Sequence, residues 1–358
     1  MVRIKLVIAD KDQIYLNRIS NVISAKYSNK LELFAFSKLE TLYEFIKENK
    51  VDVLLVSDAF EIDDRKLPEK IDFAYLVDSP NIDKLNGKKA VCKYTKIDII
   101  YKAVLSMYSE NSSNVLNFKK QGSSDTKVFS FFSCSGGDGA SVLAAACCLD
   151  LAKKGKRVLY LNLEQCGTPR VFFNAEGDFG LSELVYAIKR NKVNVALKVE
   201  SLVKKESNGV SFLDEAKASL DLLEMTEEDI SLLMKDVVNS QLFEYIVIDT
   251  DTILTDFYIS IMFNSDNIIF VSDASDVSVS KFKRVYHSLK IIQEHRKINL
   301  IEKIYMIYNK TNTMNEGSYL SDIPSVNILG KIGEYERASS IALANSISEL
   351  GIFNKIII

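Results

Sequence analysis

Residues 128–149, VFSFFSCSGGDGASVLAAACCL, have the types and spacing best suited to chemistry. A β-branched and aromatic strand ends at Ser133, and a turn with Gly136, Gly137 and Gly139 follows. An apolar helix then runs from Ser141 to about Lys154. A strand, a glycine turn and a helix N-terminus together make a phosphate cradle. Glycines let backbone N–H groups approach an anion, and the helix dipole adds partial positive charge. A glycine turn can also join strand to helix and bind nothing, so the loop alone leaves both readings open.

The loop resembles the deviant Walker A sequence, K-G-G-x-x-K-[ST], of the MinD/ParA family of P-loop ATPases. Ser135 stands at the signature lysine, followed by Gly136 and Gly137; Asp138 and Gly139 are the variable pair. Ala140 stands at the phosphate-binding lysine, Ser141 at the hydroxyl that binds Mg²⁺, and Val142 continues the helix. Further stations follow in family order. YIVIDTD at 245–251 resembles the Walker B strand and switch II, with Asp249 reaching the Mg²⁺ shell through water. LYLNLEQCGT at 159–168 has Asn162 and Glu164 where the family has D-x-D. IYMIYNK at 304–310 places Asn309 and Lys310 at the adenine-reading position. LGKIGEYERA at 329–338 resembles the loop that packs on the base, with Gly333 replacing its proline and Tyr335 beside adenine.

The resemblance implies ATP and Mg²⁺ as cofactors, Ser141 and Asp249 as metal ligands, and Glu164 and Asp249 as the candidates for catalysis. Both loop lysines are missing. Loss of one preorganised transition-state donor typically costs ~10²–10³ in rate, so weak or absent hydrolysis is expected. The Asp138 carboxylate must point away from the phosphates or towards a cation. Arg170 and Lys310 are candidates to replace the lost charge.

The elements that must position these residues are legible as apolar periodicity. Ile4–Ala9, Leu31–Phe36, Val51–Val56, Phe73–Val77 and Ala90–Cys92 read as strands separated by amphipathic helices, and Ile97–Met107 closes the unit as a helix. Ser109–Asp125 is polar, rich in Ser and Asn, and reads as a linker. Val128–Phe132, Val158–Leu161, Tyr245–Ile248, Ile268–Val271 and Ile304–Ile307 are the strand candidates beyond it. The expected fold class is α/β. Two doubly wound three-layer domains are expected, a flavodoxin-type receiver-like sheet at 1–108 and a MinD/ParA-type P-loop NTPase at 126–358.

Residues 1–108 resemble a response-regulator receiver domain. Asp10 and Asp12 flank Lys11, and VDVLLVSD puts Ser57 at the phosphoacceptor position, one residue before Asp58. Ser79 and Lys93 fill the remaining stations. With Ser57 in register the domain is a pseudo-receiver used for protein contacts; a slip of one residue makes Asp58 the acceptor.

A receiver-like domain fused to an atypical MinD/ParA domain resembles the TadZ/CpaE family, which positions Tad-type pilus assembly and secretion machinery. The resemblance implies an ATP-binding homodimer with pilus and secretion proteins as partners, cytoplasmic and recruited to a cell pole or a membrane-associated complex. Two alternatives are a ParA-type partitioning ATPase and a signalling response regulator with an ATPase-like output domain.

Composition narrows these choices. The 358 residues are 47% hydrophobic with a net charge of −3, which argues against broad nucleic-acid binding, since that needs a basic face. No run reaches the ~18 apolar residues of a membrane helix, so no integral membrane segment is expected. The terminal GIFNKIII reads as a packed or frayed tail rather than a membrane anchor. The five cysteines contain no CxxC pair and read as buried reduced thiols; His287 and His295 read as surface positions on a helix.

Overall fold

The computed structural model describes residues 3–68, 71–111, 126–174, 179–190, 193–311, 326–335 and 338–357. Most of the expected linker, residues 112–125, lies outside them, as do residues 336–337 of the late loop. In chain order the first elements are β1 (Ile4–Ala9), α1 (Gln13–Tyr27), β2 (Leu31–Phe36), α2 (Leu39–Glu48), β3 (Val53–Ser57), β4 (Asp72–Val77), β5 (Lys84–Leu85), β6 (Lys88–Cys92) and α3 (Ile97–Asn111). Next come β7 (Lys127–Ser133), α4 (Ala140–Lys153), β8 (Val158–Asn162), α5 (Leu181–Lys189), α6 (Val195–Leu202), β9 (Lys204–Lys205), β10 (Ser211–Phe212) and α7 (Glu227–Ser240). The last are β11 (Tyr245–Thr250), α8 (Asp256–Asn264), β12 (Asn267–Ser272), α9 (Asp276–Arg296), β13 (Ile304–Thr311), β14 (Asn327–Gly333) and α10 (Ser340–Ser348).

The chain divides into two compact units, Met1–Leu116 with Arg190–Ser201, and Asn117–Lys189 with Leu202–Ile358. In the first, the sheet order is β2-β1-β3-β4-β6-β5. Its strands pair in parallel except for the short β5, which runs antiparallel to β6. Counting the parallel strands alone, with β6 as the fifth, the order is 2-1-3-4-5, a doubly wound one. Successive side chains of a strand point to opposite faces, and the two cores follow that alternation. Leu6, Ile8, Val53 and Leu55 pack with Leu16 and Ile19 of α1 and Ile100 and Val104 of α3. Val7, Ala9, Leu54 and Val56 pack with Leu42 and Ile46 of α2.

Most of α6 belongs to this first unit although the sequence runs it inside the second. Glu200 pairs with Lys30 and accepts a 2.9 Å hydrogen bond from the Tyr101 hydroxyl. The buried Lys198 donates to Glu110 at 2.5 Å and to Ser106 at 3.1 Å, and the Asn194 N–H donates to the Ser109 carbonyl. The helix α3 runs on to Asn111, so residues 109–111 of the expected linker are helical.

The receiver-like residues have been put to structural use. Asp12 caps α1, accepting from the N–H groups of Ile14 and Tyr15 at 2.8 and 3.1 Å. Lys93 lies 3.4 Å from the buried Asp10 and 2.8 Å from Asp78. Burial alone would lower the Lys93 pKa, but the bond to Asp78 and the charge of Asp10 hold it above its usual value. Ser57 ends β3 fully buried, and Asp58 lies beyond the strand, exposed. Ser79 accepts from the Asn81 N–H in a local turn.

The second unit is built on an eight-stranded sheet of order β14-β13-β12-β7-β11-β8-β10-β9, parallel except for the β9–β10 pair. The central β11 (YIVIDT) is buried at every residue, which is why it opens on the apolar run YIVI rather than an alternation. Helix α4, rich in the strong helix former Ala, is buried at ten of its fourteen positions. It packs on Phe129 and Phe131 of β7 and on Ala344 and Ile347 of α10. The strand β14 was not among the sequence candidates. Only Leu329 and Ile332 of its seven residues are buried, so it carries little apolar signal.

The C-terminal stretch is packed: Phe353 and Ile356 are buried in the same core. Among the described residues no helix is long and apolar enough to cross a membrane. Both histidines of α9 are exposed. Cys134, Cys147 and Cys148 are buried free thiols, but Cys92 is only half-buried and Cys166 is exposed. The expectation of five buried thiols is corrected there. Cys166 sits exposed in the loop after β8.

Candidate functional site

The glycine loop joins β7, an inner strand of the sheet, to the buried helix α4. Its shape depends on two residues in the left-handed region, Gly137 (φ +86°) and Gly139 (φ +95°). A side chain at Gly139 would place its Cβ 2.5 Å from the Asn309 amide nitrogen, whereas a Cβ at Gly137 would meet only open space. Gly139 is also the N-cap of α4 and offers no side-chain cap. The first N–H groups of a helix have no intrahelical partner; here nothing from the cap residue satisfies them, and they face a cavity.

Asp138 points inward. Its carboxylate accepts from the Ser135 N–H at 2.7 Å and from the Ser278 hydroxyl of α9 at 2.8 Å. Its carbonyl accepts from the Asn309 amide at 2.7 Å. Burial raises the Asp138 pKa, and the two carboxylate hydrogen bonds offset part of that rise. Asp138 therefore braces the loop from behind, which satisfies the requirement that it point away from a bound anion.

Below the start of α4 lies a cluster of oxygens. Ser141 Oγ donates to Glu164 at 3.3 Å. The Asn162 amide donates to Glu164 at 3.2 Å and to Asp249 at 3.0 Å, and the Tyr160 hydroxyl donates to Asp249 at 2.6 Å. Asp249 is fully buried, and its second carboxylate oxygen, Oδ1, has no partner among the described residues. Burial, and then the neighbouring Glu164 charge, push the Asp249 pKa up. Burial likewise raises Glu164, with Asp251 adding to the rise. Two adjacent carboxyls with raised pKa values and one orphaned oxygen suit a hard cation. Mg²⁺ commonly takes only one or two carboxylates from the protein, with phosphate and water completing its shell.

The cavity over the loop has a volume of about 1290 Å³. The expected residues Ser135, Gly136, Gly137, Gly139, Ala140, Ser141, Val142, Glu164, Asn309, Lys310 and Tyr335 line it. Asp138 and Asp249 lie beneath its floor, and Gly333 ends β14 outside the lining. Arg170 is corrected as a source of replacement charge. Its guanidinium is held by Asp214 in a two-pronged ion pair and does not line the cavity. Lys310 is well placed, with its ammonium 2.6 Å from the Gly137 carbonyl. Its own backbone is in the left-handed region (φ +55°), a conformation a non-glycine residue holds at a cost, and such residues cluster at functional sites.

The helix that carries His287 and His295 was expected from the sequence, but not its place at the site. Lys281 donates to the Ser135 hydroxyl at 3.1 Å, and Arg284, Val285 and Ser288 line the same cavity. The i, i+3 spacing of Ser278, Lys281 and Arg284 puts them on one helix face. In sequence that face is indistinguishable from an ordinary solvated one.

The family profile described as "TadZ-like, receiver domain" matches residues 2–109, and the one described as "AAA domain" matches residues 126–302. Among solved structures, a ParA family ATPase from Chlorobium tepidum TLS is similar at 20% identity and a TM-score of 0.51. The match covers 64% of this chain and 92% of that one. A plasmid partition protein from Borrelia burgdorferi B31, bound to AMPPNP, is similar at 20% identity and a TM-score of 0.48, over 65% of this chain and 100% of that one. The MinC:MinD complex of Aquifex aeolicus is similar at 18% identity and a TM-score of 0.48, over 64% and 89%. No curated protein matches the sequence. The Chlorobium likeness, together with the strand order described above, gives the second domain the ParA/MinD-type ATPase fold.

Proposed function

We propose that this chain, which has the TadZ/CpaE architecture of a TadZ-like receiver domain followed by a ParA/MinD-type ATPase domain, is an ATP-holding positional factor for a Tad-type pilus machinery. It binds ATP with Mg²⁺ through the loop Ser135–Ser141 and hydrolyses it weakly or not at all. The nucleotide-bound ATPase domains pair in a homodimer, and the receiver-like domains contact pilus and secretion proteins.

One observation carries the nucleotide reading. The buried Asp249 has an unpartnered oxygen beside Glu164 and under the uncapped start of α4. Ser141, Glu164 and Asp249 would hold Mg²⁺, which when bound supplies positive charge to the β- and γ-phosphates. The glycine backbone and the first turn of α4 would take phosphate oxygens, and Tyr335 would lie beside the base. Weak hydrolysis follows from the loop itself, since Ala140 presents a methyl group where a phosphoryl-transfer site needs a cation.

The receiver-like domain is proposed as a protein-contact module because Ser57, not Asp58, is the buried residue ending β3. That counts against the response-regulator alternative, as does absence of acetyl-phosphate labelling at Asp58 if that is found.

Calorimetry with ATP and Mg²⁺ on the full chain and on Gly137→Val tests the site. Binding by the wild type alone supports it, and equal binding by both proteins overturns it.

A further inference from the structure

Loss of both lysines leaves the loop with no cation of its own, yet the cavity is not devoid of positive charge. Lys281 of α9 reaches the hydroxyl of Ser135, the position where a loop lysine is expected, at 3.1 Å. Arg284, one turn further along α9, lines the same cavity. Lys310, near the end of β13, donates to the Gly137 carbonyl. Among the described residues none of the three side chains is joined to a carboxylate, while many other basic side chains of this unit are, including Arg170, Lys189 and Lys204. The loop's own acidic group, Asp138, is turned away beneath it, and the acidic side chains that line the cavity are Glu164, Asp251 and Glu334.

We infer that Lys281 and Arg284 of α9, with Lys310, bind the polyphosphate of the nucleotide in place of the two missing loop lysines, from within the same chain. This rests on the nucleotide reading above and names the source of its charge. The architecture makes the substitution possible because Ser278, on the same face of α9, is bonded to Asp138. That bond fixes the helix to the loop, so the solvent-exposed ammonium and guanidinium one and two turns along are anchored beside the glycine turn. A short Ser135 also leaves room for the Lys281 ammonium. The cation moves from the loop to the helix.

Titration of the full chain with a fluorescent ATP analogue and with ADP and adenosine, in Mg²⁺ at low and moderate salt, tests this. Lys281→Ala, Arg284→Ala and the double variant are compared with the wild type. A charge-assisted hydrogen bond lost from a phosphate costs about tenfold in affinity. The double variant should therefore lose about a hundredfold for ATP, with a weaker salt dependence than the wild type. Adenosine affinity should be unchanged. Lys281→Arg should retain most of the ATP affinity, which separates charge from packing. ATP binding by the double variant within a factor of two of the wild type overturns the inference while leaving the nucleotide site standing. Equal loss for adenosine and ATP overturns it in favour of a structural role for α9. No binding by the wild type overturns the nucleotide reading itself, and this inference with it.

Discussion

At the scale of single residues the loop is a structure built against its own chemistry. Gly139 adopts φ +95° with the Asn309 amide where a Cβ would go. Gly139→Ala is therefore expected to cost ~1–3 kcal/mol of stability, read from the denaturant midpoint, and to abolish ATP binding. Asp249 gives a pH signature. Its pKa is raised in the folded chain, so the folded state holds a proton that the unfolded chain releases at lower pH. That contribution to stability is fully present below the ordinary carboxyl range and is lost as pH rises through the folded value. Asp249→Asn keeps the neutral form at every pH. In ligand-free protein, thermal unfolding between pH 5 and 9 should show the wild type losing stability relative to this variant as pH rises. A pH-independent difference would sink the idea that the carboxyl is protonated when no cation is bound.

At the scale of elements, two pieces of chain act away from where sequence order puts them. The C-terminal turn fills the core of the second unit with Phe353, which meets Phe131 of β7 edge-on with ring centroids 6.2 Å apart. Phe353→Ala should destabilise that unit by ~3–5 kcal/mol through the cavity it leaves, measurable by denaturant unfolding. Most of α6 groups with the first unit, where Glu200 is shared by Lys30 and the Tyr101 hydroxyl. Glu200→Ala leaves those two groups without their shared acceptor. Hydrogen exchange should speed up across residues 194–201 while the exchange of β11 stays as in the wild type. Unchanged exchange in α6 would mean that its apolar residues alone hold it.

At the scale of the whole molecule, the proposed dimer has a plain readout. Light scattering should give the mass of a single 40.3 kDa chain without nucleotide and twice that with ATP and Mg²⁺, and Gly137→Val should stay monomeric in both. A ligand present at a hundred times its Kd stabilises the folded state by about 2.7 kcal/mol. The same ATP addition should therefore raise the melting temperature of the wild type and leave that of the Gly137→Val chain unmoved. A dimer that forms equally without nucleotide would separate assembly from ATP.

Sequence by itself determined the two α/β domains, the site of the glycine loop and most of the inner strands. The physical reason is burial. A parallel strand covered on both faces favours an apolar run, as in YIVI at 245–248, and a turn at positive φ favours glycine. Both signals are local. The edge strand β14 was invisible because an edge strand is only partly covered and shows little apolar pattern. Only the tertiary structure decided what Asp138 does, since its partner Ser278 is distant in sequence. It also decided that Arg170 is held by Asp214 and that α6 packs on the first unit. The cation at the loop is the sharpest case. Ser135 and Lys281 are 146 residues apart. No spacing rule joins them; the bonds of Ser278 and Lys281 to the loop bring a lysine of α9 to a turn that carries none of its own.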